Sequence, residues 1–236
     1  MPVPRLKRYE GPAILSYGFR PFFFLGALYA GLAILLWLPM VFGQLRLATA
    51  FDPVDWHIHE MLFGFLPAVV TGFLLTAVPN WTGRLPVQGR PLGVLVALWV
   101  IGRAAVLLSA LTGPVAAALL DCLFLLAVAG VTANEIVAGR NWRNLKVLIP
   151  LTVLLLANVL FHAEAYFSGT SDYARRLAVA AAIMLIVLIG GRIIPSFTRN
   201  WLVREKPGRL PAAFGRFDGA TVMVSVLAFA GWIAAP

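Results

Sequence analysis

Cysteine is almost absent from this chain, which has a single one, Cys122, among 236 residues. One cysteine cannot form a disulfide within the chain, and its position inside an apolar run gives no indication of thiolate chemistry. The sequence also contains no hydrolytic triad pattern, no nucleotide-binding loop and no paired-cysteine motif. The function therefore has to be sought in other residue types.

Charged residues are scarce as well, at 12% of the sequence, whereas 61% of the residues are hydrophobic and the mean hydropathy is +0.87. This composition leaves too little polar surface for a soluble globule and indicates a polytopic membrane protein. Runs of roughly 20 apolar residues can cross a hydrocarbon core of about 30 Å. Such runs occupy residues 21–42, 60–79, 91–112, 114–137, 144–166 and 176–196, and a seventh begins near Gly219. Because they are continuous rather than alternating, we predict an all-α bundle of about seven transmembrane helices, forming one domain over residues 1–236.

Acidic residues number 10 against 19 basic ones, and the formal net charge is +9. If the N-terminus is cytoplasmic, fourteen of the 19 basic residues fall on the inner side of the membrane, and only Arg46, Arg175 and Arg176 fall in outer loops. This asymmetry is typical of the positive-inside rule. It predicts a cytoplasmic N-terminus and accounts for the basic charge without a nucleic acid partner.

The chain has only three histidines, and two of them lie beside a glutamate in the motif DWHIHE at residues 55–60. With the topology above, His57, His59 and Glu60 lie at the outer mouth of the second predicted helix. His162, in the fifth helix, is expected about 6 Å below the same surface, with Glu164 higher still. The three histidines are therefore predicted to occupy one layer. Ionisable groups in a membrane are costly to bury, so this layer indicates a ligand, a proton or mutual pairing.

Imidazole suits haem iron and copper, and a neighbouring carboxylate can orient a ligating imidazole. We therefore predict His57, His59 and His162 as ligands of haem or copper, with Glu60 or Glu164 supporting them. The two-residue spacing of His57 and His59 separates them by about 200° on a regular helix. Both could serve one site only if the 56–59 segment is extended; otherwise they serve different sites, or one faces water. The alternative is that each histidine is interfacial, hydrogen-bonded and inert.

The fifth predicted helix carries polar residues every four positions. Asn158, His162 and Tyr166 share one face, and we expect this face to point into the bundle and to give the imidazole polar neighbours. Glu164 falls on another face.

Arg103 is the most deeply placed cation of the sequence and needs a partner in the membrane. The third and fourth predicted helices are joined by the turn Thr112-Gly113-Pro114, and Asp121 is nearly as far from this turn as Arg103. Positions equidistant from the turn face each other in an antiparallel hairpin, so we predict a buried ion pair. A structural role is favoured over proton relay.

Four segments together resemble the NnrS family: YGFRPFF at 17–23, WHIHEMLFGF at 56–65, GFLLTAVPNWTGR at 72–84 and GGRIIPSFTRN at 190–200. The resemblance implies a multi-pass protein of the bacterial inner (cytoplasmic) membrane that contains haem and copper. It also implies a role in the nitric oxide response and denitrification, with nitric oxide or a related small molecule as partner. It does not assign individual histidines to haem or copper. Because members of this family usually continue with further transmembrane helices, we expect the chain to be the N-terminal part of a longer protein.

Two other functional classes compete with this interpretation. In a transporter or proton-conducting protein, His59, His162, Glu164 and the buried ion pair would form a relay across the bilayer. The inner half of the membrane offers few acids apart from Glu135, so no continuous path is evident. In a structural protein the polar residues would only pack helices, and the loss of every histidine would be tolerated. The sequence leaves open whether the protein is an enzyme.

Overall fold

The computed structural model describes residues 9–205, 208–212 and 214–235. Over these ranges the chain forms helices joined by short loops and contains no β-strand. Within these ranges, seven helical segments are long and apolar enough to cross a membrane. The prediction of an all-α transmembrane bundle is thereby confirmed. Arg5, Lys7, Arg8 and Lys206, four of the basic residues predicted to lie on the inner side, fall outside the described ranges.

The helices follow one another closely along the chain. In order they are α1 (Phe19–Val41), α2 (Pro53–His59), a π-helical segment (Glu60–Phe65), α3 (Leu66–Thr82), α4 (Arg90–Leu107), α5 (Ser109–Thr112), α6 (Pro114–Ala138), α7 (Leu148–Phe167), α8 (Asp172–Glu205) and α9 (Arg216–Ala234). Short 3-10 turns at Ala13–Leu15 and Trp142–Val147 precede α1 and α7. Most predicted spans agree with these bounds to within a few residues.

The second span begins earlier than its apolar run predicts. Its helical course runs without a break from Pro53 to Thr82, through α2, the π-helical segment and α3. The start is set by Asp52, whose Oδ1 accepts hydrogen bonds from the backbone N–H groups of Val54 and Asp55, both at 2.9 Å. An aspartate cap followed by proline at the first helical position is a strong helix start. The two histidines of the DWHIHE motif therefore lie within a helix and not in an extended segment.

The second span is also the most enclosed of the seven, with 56% of its most apolar window buried. α3 packs against α1 and α6, while α6 also packs against α4 and α7. α8 packs on α7, and α9 packs on α8 at the edge of the bundle, where none of its described residues is buried. Polar residues carried by the second span are consequently surrounded by other helices, and this arrangement positions the site described next.

Candidate metal centre

Two histidines and an aspartate converge in the interior of the bundle. One ligand atom each of His59, Asp121 and His162 can be chosen so that the three atoms lie within 4.8 Å of one another. Nε2 of His59 and Nε2 of His162 lie 3.2 Å and 3.1 Å from the same atom, Oδ2 of Asp121. His59 is 0% exposed, Asp121 is 1% exposed and His162 is 9% exposed. α2, α6 and α7 thus each supply one donor to a single buried cluster.

The second ring nitrogen of His59 is oriented by its sequence neighbour. Nδ1 of His59 lies 3.2 Å from Oε1 of Glu60, which is fully buried. A neutral imidazole has one N–H group. When Nδ1 donates that hydrogen to Glu60, the lone pair of Nε2 points towards Asp121, the arrangement found for many metal-ligating histidines.

Asn158 adds a further oxygen to the surroundings of His59. Its Nδ2 donates to Oδ2 of Asp121 at 2.8 Å, and this bond determines which way the side-chain amide points. Oδ1 of Asn158 consequently faces Nε2 of His59 at 3.2 Å. Nε2 of His59 therefore has two oxygen neighbours, and a cation between these atoms would be attracted to all of them.

Arg103 connects both carboxylates of the cluster. It donates from Nη1 to Oε2 of Glu60 at 2.6 Å and from Nη2 to Oδ1 of Asp121. The ion pair with Asp121 that the hairpin geometry predicts is present, and Glu60 is a second partner that sequence reasoning did not assign. With neutral imidazoles, two carboxylates and one guanidinium leave the cluster with one net negative charge.

The π-helical segment is held in place by contacts from α1 and α4. The hydroxyl of Tyr29 donates to Oε2 of Glu60, and the indole N–H of Trp99 donates to the backbone oxygen of Gly64 at 2.9 Å. A Cβ atom at Gly64 would lie 2.7 Å from Nη1 of Arg103 and 2.8 Å from Oε2 of Glu60. Only glycine lets the helix approach the ion pair this closely. π-Helical turns occur frequently at functional sites.

Aromatic rings surround the two clustered histidines. The ring centroids of His59 and His162 are 5.0 Å apart. The ring of His59 also lies 5.2 Å from three phenylalanine rings, those of Phe51, Phe63 and Phe161. Such apolar walls exclude water and strengthen the electrostatic interactions inside the cluster.

His57 lies outside the cluster. α2 is a regular helix over both histidines, so His57 and His59 point in different directions. Of the alternatives that the sequence left open, the structure shows the one in which the two histidines have separate environments. The His57 ring stacks on Trp37, with centroids 4.1 Å apart and an interplanar angle of 17°. Its Nδ1 atom is buried and has no hydrogen-bond partner.

Two further residues considered from the sequence lie away from the cluster. Oε2 of Glu164 accepts a hydrogen bond from the backbone N–H of Ala174 at 3.0 Å, at the start of α8. Tyr166 is 61% exposed, and its ring packs against Phe167. The prediction that Tyr166 shares an inward face with His162 was therefore wrong, because Tyr166 belongs to the last turn of α7, where its side chain is exposed.

The spacing of the donor atoms suits a single metal ion. Nitrogen ligands about 2.0–2.1 Å from a tetrahedral ion lie about 3.3 Å from their neighbours. The two Nε2 atoms are 3.2 Å and 3.1 Å from the Asp121 oxygen. Imidazole and carboxylate together suit copper, iron or zinc. Two imidazoles, one carboxylate and the oriented second nitrogen of His59 therefore fit one transition-metal ion.

The same spacing does not fit a haem at these two histidines. An axial imidazole needs an open face beside its ligating nitrogen for the iron and the porphyrin ring. Nε2 of His59 and Nε2 of His162 instead lie within 3.2 Å of Asp121. The donor set of His59, Asp121 and His162 is thus compatible with an ion and not with a porphyrin.

Sequence reasoning missed the participation of Asp121 and Tyr29 in the histidine site. Asp121 was assigned only to Arg103, and Tyr29 was not singled out. Tyr29 could have been noticed as a hydroxyl in the middle of the otherwise apolar α1, where a polar group needs a buried partner.

The fold and the buried cluster define a polytopic α-helical membrane protein with a candidate transition-metal centre inside its bundle. The family model for the NnrS protein matches residues 13–236, and the chain belongs to the NnrS family. No curated protein and no solved structure matches the chain in the corresponding comparisons.

Proposed function

We propose that this chain binds copper at His59, Asp121 and His162 and serves the nitric oxide response of a denitrifying bacterium from the inner membrane. The observation that carries the copper site is the convergence of both Nε2 atoms on one carboxylate oxygen, at 3.1 Å and 3.2 Å. Glu60 holds the other nitrogen of His59, so the imidazole is already aligned for a metal. The chain belongs to the NnrS family, and the resemblance to that family implies copper.

Nitric oxide is a small uncharged molecule that can enter from the lipid, and this matches a site enclosed by aromatic rings inside a bundle. Copper would supply a centre that can coordinate such a molecule and can itself change between Cu(I) and Cu(II). The protein's own residues align the imidazoles, hold the two carboxylates and exclude water. Nitric oxide or a related small molecule is therefore the proposed partner.

The haem part of the proposal rests on the family resemblance alone. His57 is the candidate ligand for it, because its ring lies outside the copper cluster and its buried Nδ1 is unpaired. A haem at His57 would have to accommodate Trp37, which already covers one face of the imidazole.

The test is metal analysis of the detergent-purified protein, with copper and iron measured together with oxidised and reduced optical spectra. His59→Ala and His162→Ala should each lose copper, whereas His57→Ala, the matched control from the same motif, should retain it. A Soret band that disappears in His57→Ala would establish haem at that residue.

Folding is checked independently by size-exclusion elution and helical circular dichroism. Well-folded wild-type protein that takes up no copper would overturn the proposed copper site. Equal copper loss in all three variants would contradict the assignment of His57 to a separate environment. The absence of a Soret band would remove the haem part and leave the copper part standing.

A further inference from the structure

With both imidazoles neutral, the buried cluster carries one uncompensated negative charge. Glu60, Asp121 and Arg103 are 0%, 1% and 6% exposed, and they are bound directly to one another. The two imidazoles must be neutral to act as ligands. Two carboxylates and one guanidinium then leave one negative charge in an apolar interior.

A buried net charge is costly in a low-dielectric environment, because neither water nor mobile salt ions can screen it. One positive charge between His59, Asp121 and His162 would neutralise the cluster. A divalent ion at the same position would leave the cluster with one positive charge. The charge balance therefore favours a cation of charge +1 over a cation of charge +2.

We propose that the site selects monovalent copper, Cu(I), over divalent ions, and that Arg103 is the residue that determines this selectivity. The inference rests on the proposed copper site and specifies which ion that site prefers. Arg103 touches none of the ligand nitrogens. It acts by cancelling one of the two carboxylate charges, because its Nη1 and Nη2 atoms each bind one carboxylate.

Arg103→Gln removes this cancellation and makes the net charge of the side chains more negative, from −1 to −2. The additional negative charge attracts a divalent ion more strongly than a monovalent one. The affinity for Zn²⁺ relative to Cu(I) should therefore rise at least about tenfold. For the Cu(II)/Cu(I) couple the same tenfold change lowers the midpoint potential by about 59 mV.

A series of variants separates charge from shape. Glu60→Gln has a net charge of 0 and should shift the preference further towards Cu(I). Arg103→Lys and the double variant Glu60→Gln/Arg103→Gln keep a net charge of −1 and should resemble wild type. The 236-residue chain is used in detergent. Cu(I) is titrated in competition with a chelator of known affinity, and Zn²⁺ is titrated separately.

The result expected is that the Zn²⁺-to-Cu(I) affinity ratio follows net charge, with Arg103→Gln above the three proteins of charge −1 and Glu60→Gln below them. Wild type that binds Zn²⁺ more tightly than Cu(I) would overturn the inference and leave the copper site intact. So would a ratio that stays constant across the series while His59→Ala and His162→Ala abolish binding. Failure of wild type to bind either ion would overturn the copper site itself. If Arg103→Gln does not fold, Glu60→Gln against the double variant still tests the order.

Discussion

Nη1 of Arg103 donates to Oε2 of Glu60 at 2.6 Å and thereby joins α4 to the π-helical segment. The same guanidinium binds Asp121 through Nη2. Glu60 faces Nδ1 of His59, and Asp121 faces Nε2 of both His59 and His162. One arginine therefore fixes the two carboxylates that orient the imidazoles, so that the ion pair and the candidate metal centre form a single unit.

Replacing Arg103 by methionine should destabilise the protein by about 3–5 kcal/mol, because two buried carboxylates would lose their common cation. The measurement is denaturant-induced unfolding in detergent, followed by circular dichroism. Arg84→Met is the control, since Arg84 pairs with Glu135 at 2.6 Å but has a side chain that is 43% exposed. It should change the midpoint little. Equal, small changes in both variants would contradict a structural role for the buried pair.

Gly64→Ala should destabilise the protein by about 1–3 kcal/mol, the usual cost of overpacking. The new methyl group would approach Nη1 of Arg103 to 2.7 Å and Oε2 of Glu60 to 2.8 Å. Gly31→Ala is the matched control in α1, because a Cβ there meets no atom within 4 Å. It should be neutral or stabilising by about 0.5–1 kcal/mol. The measurement is the thermal unfolding midpoint of both variants. If Gly64→Ala does not lower the midpoint, the ion pair can move away from the new methyl group.

Trp99→Phe keeps an aromatic ring but removes the N–H group that donates to the backbone oxygen of Gly64 at 2.9 Å. The loss of one hydrogen bond to a buried carbonyl costs about 0.5–1.5 kcal/mol. Trp201→Phe serves as control, because Trp201 is 61% exposed. We expect loss of stability only at position 99, measured as the unfolding midpoint. If both variants retain wild-type stability, the indole bond does not support the π-helical segment.

Nitric oxide should alter the spectrum of the copper-loaded protein. Cu(I) has no unpaired electron and nitric oxide has one, so binding to the Cu(I)-loaded protein should produce a new electron paramagnetic resonance signal with copper hyperfine splitting. His57→Ala, with its copper retained, should respond as wild type does. The absence of such a signal from the Cu(I)-loaded protein under saturating nitric oxide would argue against nitric oxide as the partner of this site.

The spans were predictable because lipid imposes long apolar runs, but the start of the second span was not. Hydropathy places it at residue 60, whereas Asp52 and Pro53 begin the helix seven residues earlier. The first turn of α2 contains Asp55 and is too polar for a hydropathy criterion. Capping chemistry is the local signal that marks this start.

The depth of the site residues in the membrane could be predicted from the sequence, but the contacts that their side chains make could not. Counting residues along the helices predicts one layer for the histidines and opposite positions for Arg103 and Asp121. The contact of His162 with Asp121 depends on how α6 and α7 pack, and this is a tertiary property. The π-helical turn at Glu60–Phe65 changes the helical phase of the second span, and a pattern based on 3.6 residues per turn cannot detect that change.

The contacts of Arg103 also have a consequence for biosynthesis. A charged side chain at the centre of an isolated transmembrane helix costs about 2.5–3.5 kcal/mol on insertion. Glu60 is synthesised before Arg103, whereas Asp121 follows Arg103 in the adjacent hairpin. The hairpin of α4 and α6 can enter the bilayer with its charges already paired, whereas Glu60 of the second span meets its cation only when α4 has been inserted. The donor set is complete only after α7 has been inserted.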